Sequence, residues 1–197
     1  MSDTTAERRG GRGARERLLS SASRLFYRNG IHATGVEALI QHANVSKRTL
    51  YQHFSSKNEL VEHYLRRIDG AGGSPMEKPL LNQELPPRDR LLAIFDAVPV
   101  ARFRGCPFHN AAVESAGELS AVEDIVRDHK RRFAELLVQV ATEAGAADPY
   151  ALGPQLLVLF EGAAALATSL NDTGAFVHAR AAAAQLIDCA VRGQIGR

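Results

Sequence analysis

Tryptophan is absent from this 197-residue chain, and only 6% of its residues are aromatic. Runs of β-branched residues with period two are missing as well, which argues against half-buried strands. The two cysteines, Cys106 and Cys189, show neither CxxC nor Cys/His spacing, so no disulfide framework and no zinc site is implied. No Ser/His/Asp set, paired-carboxylate motif or phosphate-cradling Gly-rich loop occurs. Gly10-Gly11 and Gly72-Gly73 lack the strand context that such a loop needs, so an enzyme is not expected. His109, His129 and His178 have no metal-ligand spacing, which points to pocket or surface roles instead. The Arg-rich N-terminal residues carry no apolar core, so a signal peptide is not expected. The most apolar stretch, Leu156–Leu170, includes Glu161 and is too short for a bilayer. A cytoplasmic protein without membrane, cofactor or metal is the expectation.

What the chain does contain is helix. Hydrophobic residues make up 45% and charged residues 23%, ordinary values for a folded globular chain, and tracts such as Ala181–Ala184 favour α-helix. The fold class expected is all-α. The net charge of +2 conceals an asymmetry: residues 1–67 hold twelve Lys/Arg against six Asp/Glu, and residues 68–197 hold twelve against sixteen. A basic head on an acidic body suits contact between the head and a polyanion. It does not suit a nonspecific DNA-coating protein, which needs positive charge throughout.

Residues 1–13 read as a disordered Arg-rich arm. Arg8, Arg9, Arg12 and Arg15 form either a groove-binding arm or a plain polar tail. A helix from Ala14 buries Leu18, Ala22, Leu25 and Phe26 on one stripe and ends at Asn29-Gly30. A second starts at Thr34, whose T-x-x-E with Glu37 reads as a capping box, and leaves through a tight turn at Asn44. Ser46 caps a short third helix anchored by Val45, Leu50 and Phe54. A capping box of Ser56 and Glu59 opens a fourth. Residues 70–87, rich in Gly and Pro, form a linker. Five more helices follow: Arg88–Phe103 with a break at Pro99, Pro107–Ala116 ended by Gly117, Ser120–Ala144 with a Ser120/Glu123 box, one after Asp148-Pro149 delayed or kinked by Pro154, and Gly174–Arg192 before Gly193. The division expected is therefore 14–69, a head, and 88–197, a body.

Two short helices joined by a tight turn and braced by a third make a helix-turn-helix. Residues 47–53 read Lys-Arg-Thr-Leu-Tyr-Gln-His. Leu50 points inward, and Lys47, Arg48, Thr49, Tyr51, Gln52 and His53 point outward. That face carries cations, hydroxyls and an amide without a carboxylate, which suits the edges and phosphates of a major groove. The stretch Ala33–Leu60, ATGVEALIQHANVSKRTLYQHFSSKNEL, resembles the signature of the tetracycline-repressor (TetR) family. Gly30, Thr34, Val36, Val45, Ser46, Leu50, Tyr51, His53, Phe54, Lys57 and Leu60 carry the likeness. Asn44 replaces the usual Gly of the turn, and Arg48 stands where the family often has a small residue. The resemblance covers about a quarter of the chain and implies a nine-helix, two-domain fold: a three-helix DNA-binding head and a helical body for ligand binding and dimerisation. It implies a dimeric regulator, usually a repressor, bound to double-stranded operator DNA and answering a small-molecule effector. DNA contacts are expected from Thr34, Ser46, Lys47, Arg48, Thr49, Tyr51, Gln52, His53 and Lys57, with Thr34 both capping and touching phosphate.

In the body, Phe95, Phe103, Cys106, Phe108, His109, Val113, His129, Phe133, Leu156 and Phe160 are candidates for an effector pocket; the apolar ones serve equally well as core. Cys106, beside a helix N-terminus with Arg102 and Arg104 nearby, is either an electrophile- or oxidant-sensing thiol or a small buried residue. The last two helices are apolar nearly all round. Leu159, Ala163, Leu166, Phe176, Ala183, Leu186, Ile187 and Ala190 are assigned to a four-helix dimer interface.

Overall fold

Helical stripes broken by Gly, Pro and capping residues give, in the computed structural model, nine α-helices among the described residues 4–96, 103–115 and 119–192, with side chains described from residue 13 to 191. They are α1 (Thr4–Asn29), α2 (Val36–Ala43), α3 (Lys47–His53), α4 (Lys57–Gly70), α5 (Pro87–Ala93), α6 (Pro107–Glu114), α7 (Ser120–Glu143), α8 (Pro149–Leu170) and α9 (Gly174–Arg192), with a 3-10 turn at Lys78–Leu81. Two units are present: Met1–Arg67 with Pro107–Val126, and Ile68–Cys106 with Arg127–Arg197.

In the first unit, Leu18, Ala22 and Phe26 of α1 are buried against Leu39 and Ala43 of α2, Leu50 of α3, and Leu60, Val61 and Tyr64 of α4. Phe26 and Tyr64 meet edge to face at 5.6 Å. Helix α1 starts at Thr4, not Ala14, so the arm expected to be disordered carries helix. Extending a helix already nucleated over Ala14–Asn29 costs little per residue. The side chains of Arg8, Arg9 and Arg12 lie outside the described residues. Gly30 ends α1 at φ +94°, a left-handed conformation that a side chain resists.

The grouping differs from the expected division at the linker 70–87, because α6 belongs with the head. Glu114, its last residue, accepts a hydrogen bond from the His32 amide at 2.9 Å, and the His32 ring Nε2 meets the Glu114 carbonyl. A Cβ on Gly30 would stand 3.1 Å from both Glu114 carboxylate oxygens. Pro107 opens α6 as expected. Gly117, expected to end it, lies outside the described residues.

In the second unit the expected linker is built into the core. Met76, Glu77 and Leu80 are buried. Glu77 accepts from the Ser74 amide at 3.1 Å and from its hydroxyl at 3.0 Å. Helix α5 stops at Ala93, ten residues short of Phe103; Pro99 lies outside the described residues. The guanidinium of Arg90, buried, donates from Nε to the Leu80 carbonyl at 2.7 Å and from a terminal nitrogen to Glu143 at 2.5 Å, tying the 3-10 turn to α7. Asp148 caps α8 by accepting from the Ala151 amide at 2.9 Å, and the helix runs unbroken through Pro154 from Pro149. At 22 residues α8 is long enough to cross a bilayer, contrary to the sequence estimate. One face of it is nevertheless core: Leu152, Leu156, Phe160, Ala163, Ala164 and Ala167 are buried, and Glu161 pairs with Lys130 at 2.5 Å. Gly153 lets α8 approach α7, where an added Cβ would fall 3.0 Å from the Val138 amide nitrogen.

Candidate nucleic-acid interface

The turn between α2 and α3 sets the geometry of the head. Asn44 takes the left-handed conformation, φ 51° and ψ 58°, and Val45 donates back to the Ile40 carbonyl at 3.0 Å. Arg17 of α1 donates to the Ala43 carbonyl at 3.0 Å, fixing the end of α2. Helix α3 then starts from Ser46, whose hydroxyl oxygen accepts from the Thr49 amide at 3.0 Å. Leu50 and Phe54 are buried beneath it, and Arg15 stacks on Phe54 with its guanidinium carbon 5.3 Å from the ring centre. A seven-residue helix is too short to hold itself in water; the cap and the two apolar anchors hold this one.

The opposite side of α3 faces outward. Ser46, Lys47, Arg48, Tyr51 and Gln52 are exposed, while Thr49, His53 and Lys57 are half-buried. These eight lie on α3 and its flanks. Burial pulls the Lys57 ammonium below its ordinary range, against the attraction of Glu114. Ser46 is committed to the cap, and its hydroxyl also lies 2.8 Å from that of Thr49.

Thr34 does not share this face. It is 1% exposed, and its hydroxyl donates to the Gly30 carbonyl at 2.7 Å. The expected capping box fails with it, because α2 starts from Gly35 without a side-chain cap. The Glu37 carboxylate accepts from its own backbone amide in the first turn of α2. Glu37, set aside by sequence as half of that box, instead accepts from Lys47 at 3.1 Å. A carboxylate therefore stands on the face expected to have none. The signal that could have found it is its position on the outward side of α2. Glu37 also borders an open depression of about 440 Å³ lined with Ile40, Gln41, Asn44 and Val45.

Of the pocket candidates, Phe95, Phe133, Leu156 and Phe160 are buried together, and Phe103 packs against them. The rings touch edge to face, Phe133 to Phe160 at 5.3 Å and Phe103 to Phe176 at 5.6 Å. They fill one another's space as core. His109 and Val113 are exposed, and with Phe108 they lie on α6, which groups with the first unit. His129 is buried, its Nδ1 3.0 Å from Asp69 and its Nε2 3.3 Å from Glu77. Lys130 donates to the Cys106 sulfur at 3.5 Å. Of the dimer candidates, Ala163, Phe176, Ala183 and Ile187 are buried inside their own unit, because the inner stripes of α8 and α9 pack on the aromatic core. Leu159, Leu186 and Ala190 are half-buried, and Leu166 is exposed.

Residues 18–64 match the model of the bacterial regulatory proteins of the tetR family. A TetR transcriptional regulator from Streptomyces avermitilis is 33% identical, with a TM-score of 0.73 over 90% of this chain and 97% of its own. The chain belongs to the TetR family. A second TetR-family regulator, from Streptomyces coelicolor, is 27% identical with a TM-score of 0.73 over 92% and 96% of the two chains. The transcriptional activator FasR of Mycolicibacterium smegmatis is 49% identical over 53 residues, 27% of this chain and 24% of its own. This TetR-family chain spans about a quarter to two fifths of the length of the curated relatives it matches. The family is one of helix-turn-helix transcriptional regulators, not enzymes, and its fold accounts for the all-helical architecture.

Proposed function

We propose that this TetR-family chain is a cytoplasmic, homodimeric transcription repressor that binds a palindromic operator through α3 and leaves it when a small-molecule effector binds the helical body. The observation that carries the reading is the outward face of α3, where Lys47, Arg48, Tyr51 and Gln52 stand in solvent on a helix braced from below by Leu50 and Phe54. Cations and hydroxyls there suit phosphates, and Arg48 and Gln52 suit base edges. Thr49, His53 and Lys57 flank that face, and Ser46 serves it by fixing the start of the helix.

A dimer would place two such helices about one DNA turn apart. The surface that supports it is an outward stripe on α8 at intervals of four residues, Val158, Gly162, Leu166 and Leu170. The three large members are 71%, 55% and 66% exposed, and a Cβ on Gly162 would meet nothing. Val177 adds to the apolar surface from α9. Effector coupling would run through α4, which leads from the head into the second unit, at about 1–3 kcal/mol of operator affinity. Selection of binding sites from random duplex DNA tests the reading. An inverted repeat that survives excess random competitor supports it, and indifference to every sequence overturns it. A reporter gene driven from that site separates repression from activation.

A second reading has one observation in its favour, the Lys130 ammonium beside the buried Cys106 sulfur. A neighbouring cation favours thiolate and so reactivity, which would make Cys106 the trigger for release. Alkylation of Cys106 without loss of operator binding removes this reading.

A further inference from the structure

The face built by α2 and α3 carries two opposite charges in contact, ten residues apart in sequence and brought together by the Asn44 turn. Lys47 Nζ lies 3.1 Å from Glu37 Oε1, and the two side chains are 58% and 75% exposed. Each holds the other's charge: the hydrogen bond from Lys47 holds the Glu37 carboxyl below its ordinary range, and the bond to Glu37 holds the Lys47 ammonium above its own. A carboxylate is an unexpected neighbour for a polyanion. It repels phosphates, and it ties up a cation that would otherwise bind them.

The spacing offers a use for it. In a Watson–Crick pair the exocyclic amine of one base and the carbonyl of the other are themselves hydrogen-bonded, about 2.9 Å apart. In the major groove cytosine presents its N4 amine as a donor, and guanine presents O6 and N7 as acceptors. A carboxylate and an ammonium held 3.1 Å apart match that donor and acceptor edge side by side. Lys47 is the first residue of α3, and the N-terminal end of a recognition helix is the part that reaches base edges. An A·T pair also sets an amine beside a carbonyl, but its carbonyl side ends in a thymine methyl instead of a second acceptor. We propose that the Glu37–Lys47 pair reads a single C·G base pair in each operator half-site, Glu37 accepting from the cytosine amine and Lys47 donating to the guanine. At every other sequence the same carboxylate works against binding, so the pair raises the ratio of specific to nonspecific affinity.

This inference rests on the operator-binding function proposed above, and one selection experiment separates the two. Random duplexes are enriched on the full-length protein and on Glu37→Ala, Glu37→Gln and Lys47→Ala, with Arg48→Ala for comparison. Glu37→Ala and Lys47→Ala are expected to relax the same C·G position, each lowering discrimination there by about tenfold, while Arg48→Ala relaxes a different one. Glu37→Gln is expected to shift that position towards adenine, which an amide pairs with through N6 and N7. Glu37→Ala is also expected to bind random DNA several-fold more tightly, with a salt dependence steeper by about one phosphate per protomer. If the unaltered protein selects a palindrome and Glu37→Ala selects the same one with unchanged stringency, the pair reads nothing and the inference falls alone. If Glu37→Ala and Lys47→Ala relax different positions, it falls as well. If the unaltered protein selects no sequence, the operator-binding reading falls and takes the inference with it.

Discussion

Replacing Thr34 by Val separates a structural threonine from a DNA-contacting one. The two side chains have nearly the same shape, so the exchange removes one hydroxyl and little volume. That hydroxyl is 2.7 Å from the Gly30 carbonyl and 3.3 Å from that of Leu25, and one proton cannot serve both fully. The shorter bond is the one lost, and a methyl group would then cover the Gly30 carbonyl in a site closed to water. Leaving a buried acceptor unmet costs about 1–3 kcal/mol. For a chain of this size that lowers Tm by on the order of 5 °C. Thermal unfolding followed by circular dichroism reads the shift, and competition binding at 20 °C below the midpoint reads affinity for the selected operator. The expected result is a lower Tm with affinity changed less than threefold. An unchanged Tm with a tenfold loss of affinity would mean that the hydroxyl donates to DNA, and would refute the assignment.

Arg48→Ala is expected to weaken operator binding by about 1–3 kcal/mol and relax one base position, read by mobility-shift titration; unchanged affinity and preference would remove Arg48 from the reading face. Gly153→Ala should destabilise the second unit by about 1–3 kcal/mol, as overpacking does, because its Cβ would press on the Val138 backbone of α7; a urea midpoint equal to that of the unaltered protein would count against the close approach. Asp69 supplies a pH dependence. Burial raises its carboxyl, but hydrogen bonds from Arg132 and His129 outweigh that and hold it below the ordinary value of 3.8. A group depressed in the folded state stabilises it above the unfolded value and loses that contribution as pH falls through the folded one. Asp69→Asn should therefore be less stable than the parent at pH 7, with the gap closing below about pH 4; a gap independent of pH would contradict the pairing.

What sequence made legible was local. Ser46 and Asn44 act within three or four residues of themselves, so their capping and turn roles follow from composition and spacing alone, and the structure places both as expected. Ser56 acts just as locally: its hydroxyl accepts from the Glu59 amide at 3.1 Å, while the Glu59 carboxylate reaches back one residue further, to Ser55. The T-x-x-E spacing of Thr34 and Glu37 fits a cap, yet Thr34 turns back to the buried Gly30 carbonyl four residues before it, and Glu37 meets the Lys47 ammonium ten residues on, a partner that only the turn at Asn44 brings near. The body was harder for a related reason. A helix such as α8, apolar nearly all round, does not reveal which stripe faces its own core and which is left for a second copy. The aromatic residues of the body presented the same ambiguity between cavity wall and core.

The contact of Glu114 with His32 and Gly30 makes the head discontinuous along the chain. A fragment ending near residue 69 would lack the carboxylate that holds the loop after α1, and would present α3 from an incomplete support. Chimeras that exchange reading heads between relatives should accordingly carry residues 107–126 along with the first 67, or accept a head missing one of its walls.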